Sequence, residues 1–212
     1  MADQATVTWG GVTRVMGFTF AFQPIGIEPS ACVIRSPEEL GAPSAAGNLV
    51  LSYADGSLTF VDCRLERPRL TANNSGRVRD LPILDRRWKW RFGLINGSYN
   101  LRQPDDTLKR EQTPQQLATL LLEAMGETGF QVANLPNMPR PEVRWENSNP
   151  AQELAALCER LGCVVVFNPF QDRVEIHVGG VAQSLPSGPT IGGSVGFDSP
   201  AAPDSIRPVS MS

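Results

Sequence analysis

The apolar residues of this chain leave a strand period for a helical one near residue 113, and that change constrains the fold more than any single motif does. Before it they recur at every second position, between turn signals. In "VTRVMGFTFAF", Phe18, Phe20 and Phe22 share one face, as alternate side chains on a strand must. "GNLVLSYADGSLTFVDCRLERPRL" predicts a hairpin, with Leu49 and Leu51 leading into an Asp55-Gly56 turn and Leu58 and Phe60 leading out. "RVRDLPILDRRWKWRFGLINGSYN" adds a further strand pair, and only "SPEELG" suggests a helical turn. Residues 1–103 therefore predict an antiparallel β-barrel or sandwich.

Residues 104–180 predict a small α+β module. In "TPQQLATLLLEAMGETG", Thr113 is placed as N-cap, Pro114 as first helical residue and Gln116 as the partner that completes a capping box. Leu117, Leu120, Leu121 and Met125 form its apolar stripe, and Gly126 or Gly129 stops it. "NPAQELAALCERLG" repeats the recipe with Asn149, Pro150, Gln152 and a stop at Gly162. Short strands are expected at "GFQVA" and "PEVRWEN". "CVVVFNPFQDRVEIHVG" predicts a hairpin with Val174, Ile176 and Val178 inward and Arg173, Glu175 and His177 outward. Residues 181–212, rich in Gly, Pro and Ser, cannot form a core and predict an extended arm or the start of a missing domain. The whole predicts a mainly β protein: a barrel, a two-helix α+β module and a C-terminal arm.

Catalytic chemistry finds little support. The chain has one histidine, His177, in the outward register of a predicted strand, and it contains neither HExxH nor GxSxG. "GPTIGGSVG" lacks the lysine and the strand-to-helix setting of a phosphate loop. Cys32, Cys63, Cys158 and Cys163 have no zinc-ligand spacing and are expected as buried small hydrophobes of a protein made in a reducing cytosol. No secretory signal peptide or membrane span is expected, no metal or cofactor is implied, and no enzyme is predicted. The net charge of −3 gives no global field for nucleic acid.

The strongest local signal is cationic. Arg64, Arg67, Arg69, Arg77, Arg79, Arg86, Arg87, Lys89 and Arg91 crowd a segment with few carboxylates. Read as a strand, "RRWKWRFG" puts Trp88, Trp90 and Phe92 on one face and Arg87, Lys89 and Arg91 on the other. That arrangement separates charges from stacking platforms and disfavours single-strand nucleic-acid binding. It predicts a barrel core of Phe18, Phe20, Phe22, Trp88, Trp90 and Phe92. It also predicts an interface of Arg64, Arg67, Arg69, Arg77, Arg79, Arg87, Lys89 and Arg91, facing a neighbouring subunit or a passage for a polyanion.

"PILDRRWKWRFGLINGSYN" resembles the end of the first domain of phage tail hub (baseplate hub) proteins, through Asp85, Arg86, Trp88, Gly97, Tyr99 and Asn100. The capped helix of "TPQQLATLLLEAMG" and the "NPAQELAALCERLGCVVVFNPFQDRVEIHVGG" unit resemble the hub's second domain. The resemblance implies a tube-like barrel and a homotrimer at the virion tail tip, made in the bacterial cytoplasm. It implies a distal tail protein or tail-tube ring above, tape-measure, fibre or spike proteins below, and DNA passing through during ejection. Typical hubs carry a second tube-like domain, which would start near Ser212, so trimerisation is the firmer expectation and six-fold mimicry by the trimer the weaker one. Two other readings stay open. Trp9, Trp88, Trp90 and Tyr99 could serve a carbohydrate-binding or adhesion module, and Glu38-Glu39 or Asp105-Asp106 a tail-associated cell-wall hydrolase.

Overall fold

A computed structural model describes residues 5–37, 42–54, 56–73 and 76–179. The expected turn at "SPEELG", Asp55 of the hairpin turn and the arm at 181–212 fall wholly or mostly outside these residues. Seven strands form the first sheet: β1 (Thr6–Thr8), β2 (Gly17–Ala21), β3 (Ala31–Pro37), β4 (Ala46–Tyr53), β5 (Gly56–Leu65), β6 (Arg69–Asn73) and β7 (Gly76–Leu84). Their order is β1-β4-β5-β7-β3-β2, with β6 also on β7, and the antiparallel sheet curls into a nearly closed barrel.

Alternation builds the interior of this barrel. Cys32 and Ile34 of β3, Leu49 and Leu51 of β4, Leu58 and Phe60 of β5, and Leu81 and Ile83 of β7 are buried. β4 and β5 form the expected hairpin, with Leu51 opposite Leu58. Its register slips between Gly47 and Leu49, opposite the stretch where Asp62 takes a left-handed φ of 52°. Such a bulge inserts one residue, which lets Cys63 follow Phe60 into the core after three residues instead of two. One edge of β7 serves two partners in turn. Ile83 and Leu84 pair with the end of β5, and residues 76–80 pair with β6.

Residues 95–178 add helices and short ribbons whose buried faces join the barrel core. β8 (Ile95–Tyr99) is followed by β9 (Leu101–Arg102), β10 (Leu108–Lys109), helix α1 (Pro114–Ala124), β11 (Val143–Ser148), helix α2 (Pro150–Arg160), β12 (Cys163–Asn168) and β13 (Arg173–Val178). β8 pairs with β11, β9 with β10, and β12 with β13. β8, which the sequence reading placed in the first region, is thus paired with a strand of the second. The capping box of α1 forms as the sequence predicts: Gln116 N donates to Thr113 Oγ1 (3.1 Å) and Thr113 N to Gln116 Oε1 (2.8 Å). In α2, Asn149 Oδ1 alone accepts from Ala151 N and Gln152 N, and Asn149 Nδ2 donates to Trp90 O (3.0 Å), tying the helix start to the end of the first region. Gly126 and Gly162 end the two helices at φ of 76° and 64°, a conformation costly for residues with a Cβ.

Two sequence expectations are corrected here. In the β12–β13 hairpin Val174 and Ile176 point inward, but Val178 is exposed and Glu175 is buried. Gln131 N donates to Val174 O and Ile176 N to Gln131 O, so a further segment lies along β13 and covers what would be an open edge. The larger correction concerns residues 86–92. They form a 3-10 helix, Arg86–Phe92, and not a strand. Asp85 caps it, its Oδ1 accepting from Arg87 N (3.0 Å), and Trp88 N donates to Asp85 O across one turn (3.0 Å). A side chain that satisfies nearby backbone donors competes with strand pairing, and here it prevails.

Candidate assembly interface

The 3-10 helix removes the two-faced geometry on which the cation and aromatic placements rested. Arg87 is 1% exposed, not an outward cation. Its Nη2 donates to Asp85 Oδ2 (2.7 Å), Gln23 O (2.6 Å) and Ser30 Oγ (3.0 Å), and its Nη1 to Gly26 O (3.1 Å). Asp85 Oδ2 also accepts from Ser30 N (2.7 Å). Arg86 is buried as well, pairing with Glu127 beyond α1 (2.9 Å) and with Asp172 in the β12–β13 turn (2.7 Å). Trp90 Nε1 donates to Glu127 Oε1 (2.8 Å). Both guanidinium carbons lie 5.1 Å from the Phe167 ring centroid, where a cation meets the negative face of the ring.

This buried knot joins the β2–β3 loop, the 3-10 helix, the residues after α1 and the β12–β13 hairpin. Backbone bonds reinforce the same junction, with Gly26 N donating to Val165 O and Phe167 N to Pro24 O, both at 2.8 Å. The barrel interior and the packing of both helices form one continuous apolar cluster. Buried charges are tolerated only when each is paired and hydrogen-bonded. The knot satisfies that condition at nearly every atom, with Arg86 Nε alone in it lacking a partner among the described residues. The sequence reading missed this unit. The signal was present in "DRRW": Asp is a favoured N-cap residue, and a capped turn can fold its arginines back onto the cap.

The remaining predicted interface residues stay at the surface or near it. Arg64, Arg67, Arg69, Arg77 and Arg91 are exposed, while Arg79 and Lys89 are half-buried. Arg69, Arg77 and Arg79 lie on the β6–β7 ribbon. Beside that ribbon Arg35 forms a two-pronged pair with Asp80 (2.8 and 3.2 Å), which holds the Asp80 carboxyl below its ordinary range. Lys89 sits 3.8 Å from Glu127.

The predicted barrel-core aromatics divide. Phe18 and Phe20 are half-buried against the core. Phe22 lies past the end of β2, is 38% exposed, stacks on Phe20 and meets Phe60 edge-on. Trp90 is buried, but at the junction and not on a strand. Trp88 is half-buried and Phe92 is 67% exposed, because a helical turn carries successive residues around its axis and alternation no longer applies.

The groups proposed for other chemistry are placed as follows. Trp9 is buried, with Nε1 donating to Ser44 O (2.9 Å), and the Tyr99 ring packs on Trp145. With Trp90 also buried, two of the four rings offered as a sugar platform lie inside the protein, and Tyr99 is half-buried. Asp105 accepts from Thr107 N and Oγ1 in an exposed turn, which lowers its pKa, and Glu38-Glu39 lies outside the described residues. All four cysteines are free and buried; burial pushes the Cys32, Cys63 and Cys158 thiols up to about 12. His177 is mostly covered and sits 2.9 Å from Glu175. Among the described residues no group of three or more His, Cys, Asp or Glu side chains is arranged to hold a metal, and no helix is long and apolar enough to cross a membrane.

Asn100 has a clear structural role. At a left-handed φ of 56° its Nδ2 donates to Gln112 O and Pro141 O, and its Oδ1 accepts from Gln112 N. It therefore closes the loop that leads into α1. Gly97 is required by proximity, since a Cβ there would lie 2.7 Å from the Tyr99 ring.

No protein-family model and no curated protein matches the sequence. Solved structures do match the fold. The chain is similar to a tail protein from Neisseria meningitidis MC58, with a TM-score of 0.58, 11% identity, and coverage of 83% of this chain and 50% of that one. It is equally similar to the 43 kDa tail protein of prophage MuSo2 from Shewanella oneidensis, with a TM-score of 0.58, 14% identity, and coverage of 83% and 53%. The chain spans about half the length of these structures. At such identities the likeness establishes the fold.

Proposed function

We propose that this chain is a non-enzymatic structural component of a phage tail tip, a hub that trimerises and joins a distal-tail or tail-tube ring to central fibre, spike or tape-measure proteins. The observation that carries this reading is the shared architecture: barrel and helical module together superpose on two tail proteins over 83% of the chain. The Asp85-to-Asn100 motif supports it, because Asp85 and Arg86 fasten the junction and Asn100 closes the loop into α1. We assign ring contacts to the barrel, residues 1–103, and the fastening role to residues 104–180. In the sheet order β1 and β2 are terminal strands, and terminal strands present unpaired backbone donors and acceptors that a neighbouring subunit can use. The exposed cations Arg67, Arg69 and Arg77 flank the subunit contact or the passage through which DNA leaves.

Light-scattering mass measurement across a concentration series tests the reading, followed by imaging of the protein with other tail components. The expected result is three times the chain mass and a ring with those components. A monomer at every concentration that joins no ring would overturn it.

A further inference from the structure

The last turn of the 3-10 helix builds a surface that the buried knot does not use. The Arg64 guanidinium lies over the Trp88 ring, 4.5 Å from its centroid, and no carboxylate of the described residues pairs with it. Trp88 is fixed in place by Nε1 donating to Asp62 O (3.0 Å). The Phe92 ring meets Trp88 edge-on at 5.9 Å, and Arg91 lies 5.7 Å from the Phe92 centroid. Arg91 Nε donates to Trp88 O (2.9 Å), and its Nη2 makes only a long contact with Glu66 (3.5 Å). Phe92 and Leu94 are 67% and 66% exposed, on either side of Gly93, which packs too close to Pro150 to carry a Cβ.

We propose that the surface of Arg64, Trp88, Arg91, Phe92 and Leu94 docks a segment of another protein that carries carboxylates beside aliphatic or aromatic side chains. A guanidinium stacked on a ring keeps its in-plane N–H donors free, and that edge matches a carboxylate in two-pronged fashion. Phe92 and Leu94 beside it offer apolar area that only an apolar partner covers favourably. A sugar or base would need the Trp88 face that Arg64 occupies. A passing phosphate chain would leave Leu94 wet. The aromatic pair is already ordered, so little freedom is lost on docking. This proposal stands on the patch alone, and its failure leaves the tail reading untouched.

The test is direct binding of three synthetic peptides to the full chain by fluorescence anisotropy: the acidic-apolar GSDLDFDLGS, its amide form GSNLNFNLGS and its apolar-stripped form GSDSDSDSGS. The first is expected to bind saturably, at least tenfold more tightly than the other two. R64E with R91E, and separately F92S, is expected to weaken it at least tenfold. Far-ultraviolet circular dichroism checks that each variant is folded, and R64Q replaces any that is not. Several results would overturn the proposal. They are equal binding of the three peptides, no saturation at millimolar concentration, and native affinity in R64E/R91E. Displacement of the acidic peptide by oligothymidylate or chitotriose at lower concentration, or loss of self-association in R64E, would do the same.

Discussion

Two regions of this molecule use the same residue types to opposite ends. In the buried knot, Arg86 and Arg87 lie over Phe167 and are closed in by Asp85, Glu127 and Asp172. Toward the end of the same 3-10 helix, Arg64 of β5 and Arg91 lie over Trp88 and Phe92, and both cations are exposed. Cation-on-ring geometry is common to both. What differs is whether a carboxylate and a second layer of chain complete the shell. The comparison teaches that a basic aromatic run has no function of its own; the elements packed over it decide between fastening and recognition.

The most severe way to break the comparison is to take one charge from the knot. Arg87→Ala leaves Asp85 buried beside Ser30 with its main partner gone, and breaking a buried pair costs about 3–5 kcal/mol. Urea unfolding should show that loss in the transition midpoint. Arg87→Met combined with Asp85→Asn should recover part of it, because the uncompensated charge is then removed too. A loss below about 1 kcal/mol for the single variant would place the knot with surface pairs and end the distinction.

A smaller effect is expected where packing alone is disturbed. Gly97→Ala sets a methyl 2.7 Å from the Tyr99 ring, which must then move against Trp145. Overpacking of this kind costs about 1–3 kcal/mol, again read from unfolding. The β8–β11 pairing holds Gly97 opposite Trp145, so the strain falls on the ribbon that joins the two regions.

How much of this was legible in the sequence follows from the range of the forces involved. The barrel strands and both helices were, because alternation, helical stripes and caps are local: Thr113 with Gln116, or Leu51 opposite Leu58, need only neighbours in the chain or across one turn. The 3-10 helix was not, because its alternation between arginine and tryptophan matched a strand while its cap pointed to a turn. What decided for the turn lies far away in sequence: Ser30, Gln23 and Gly26 on one side, Glu127 and Asp172 on the other. Glu175 also escaped: its strand register points outward, but Asn168, Arg173 and His177 gather on its carboxylate and the side chain is buried.

Glu175 also gives the comparison a pH dimension. Burial acts to raise its pKa, but hydrogen bonds from Arg173, Asn168 and His177 outweigh that and hold it below the ordinary 4.5. A carboxylate depressed in the folded state stabilises it fully above the unfolded value, and the contribution is lost as pH falls through the folded one. Below about pH 4.5 the native chain should therefore lose stability more steeply than Glu175→Gln. Parallel slopes of unfolding free energy against pH for the two proteins would show that the group titrates alike in both states. Asp80, lowered by Arg35, adds to the same acid limb and is separated from it by Arg35→Ala.

The smallest effect on stability belongs to the exposed member of the pair. Arg64→Ala removes a guanidinium from the Trp88 face but leaves no buried charge, because no carboxylate answers it among the described residues. An exposed cation on a ring is worth about 0.5–1 kcal/mol, so the unfolding midpoint should hardly move. Trp88 should instead become more accessible to acrylamide, since its ring loses the cover of Arg64 while the hydrogen bond to Asp62 keeps it in position. A destabilisation as large as that of Arg87→Ala would mean that Arg64 is structural, and the two regions would then differ in depth but not in role.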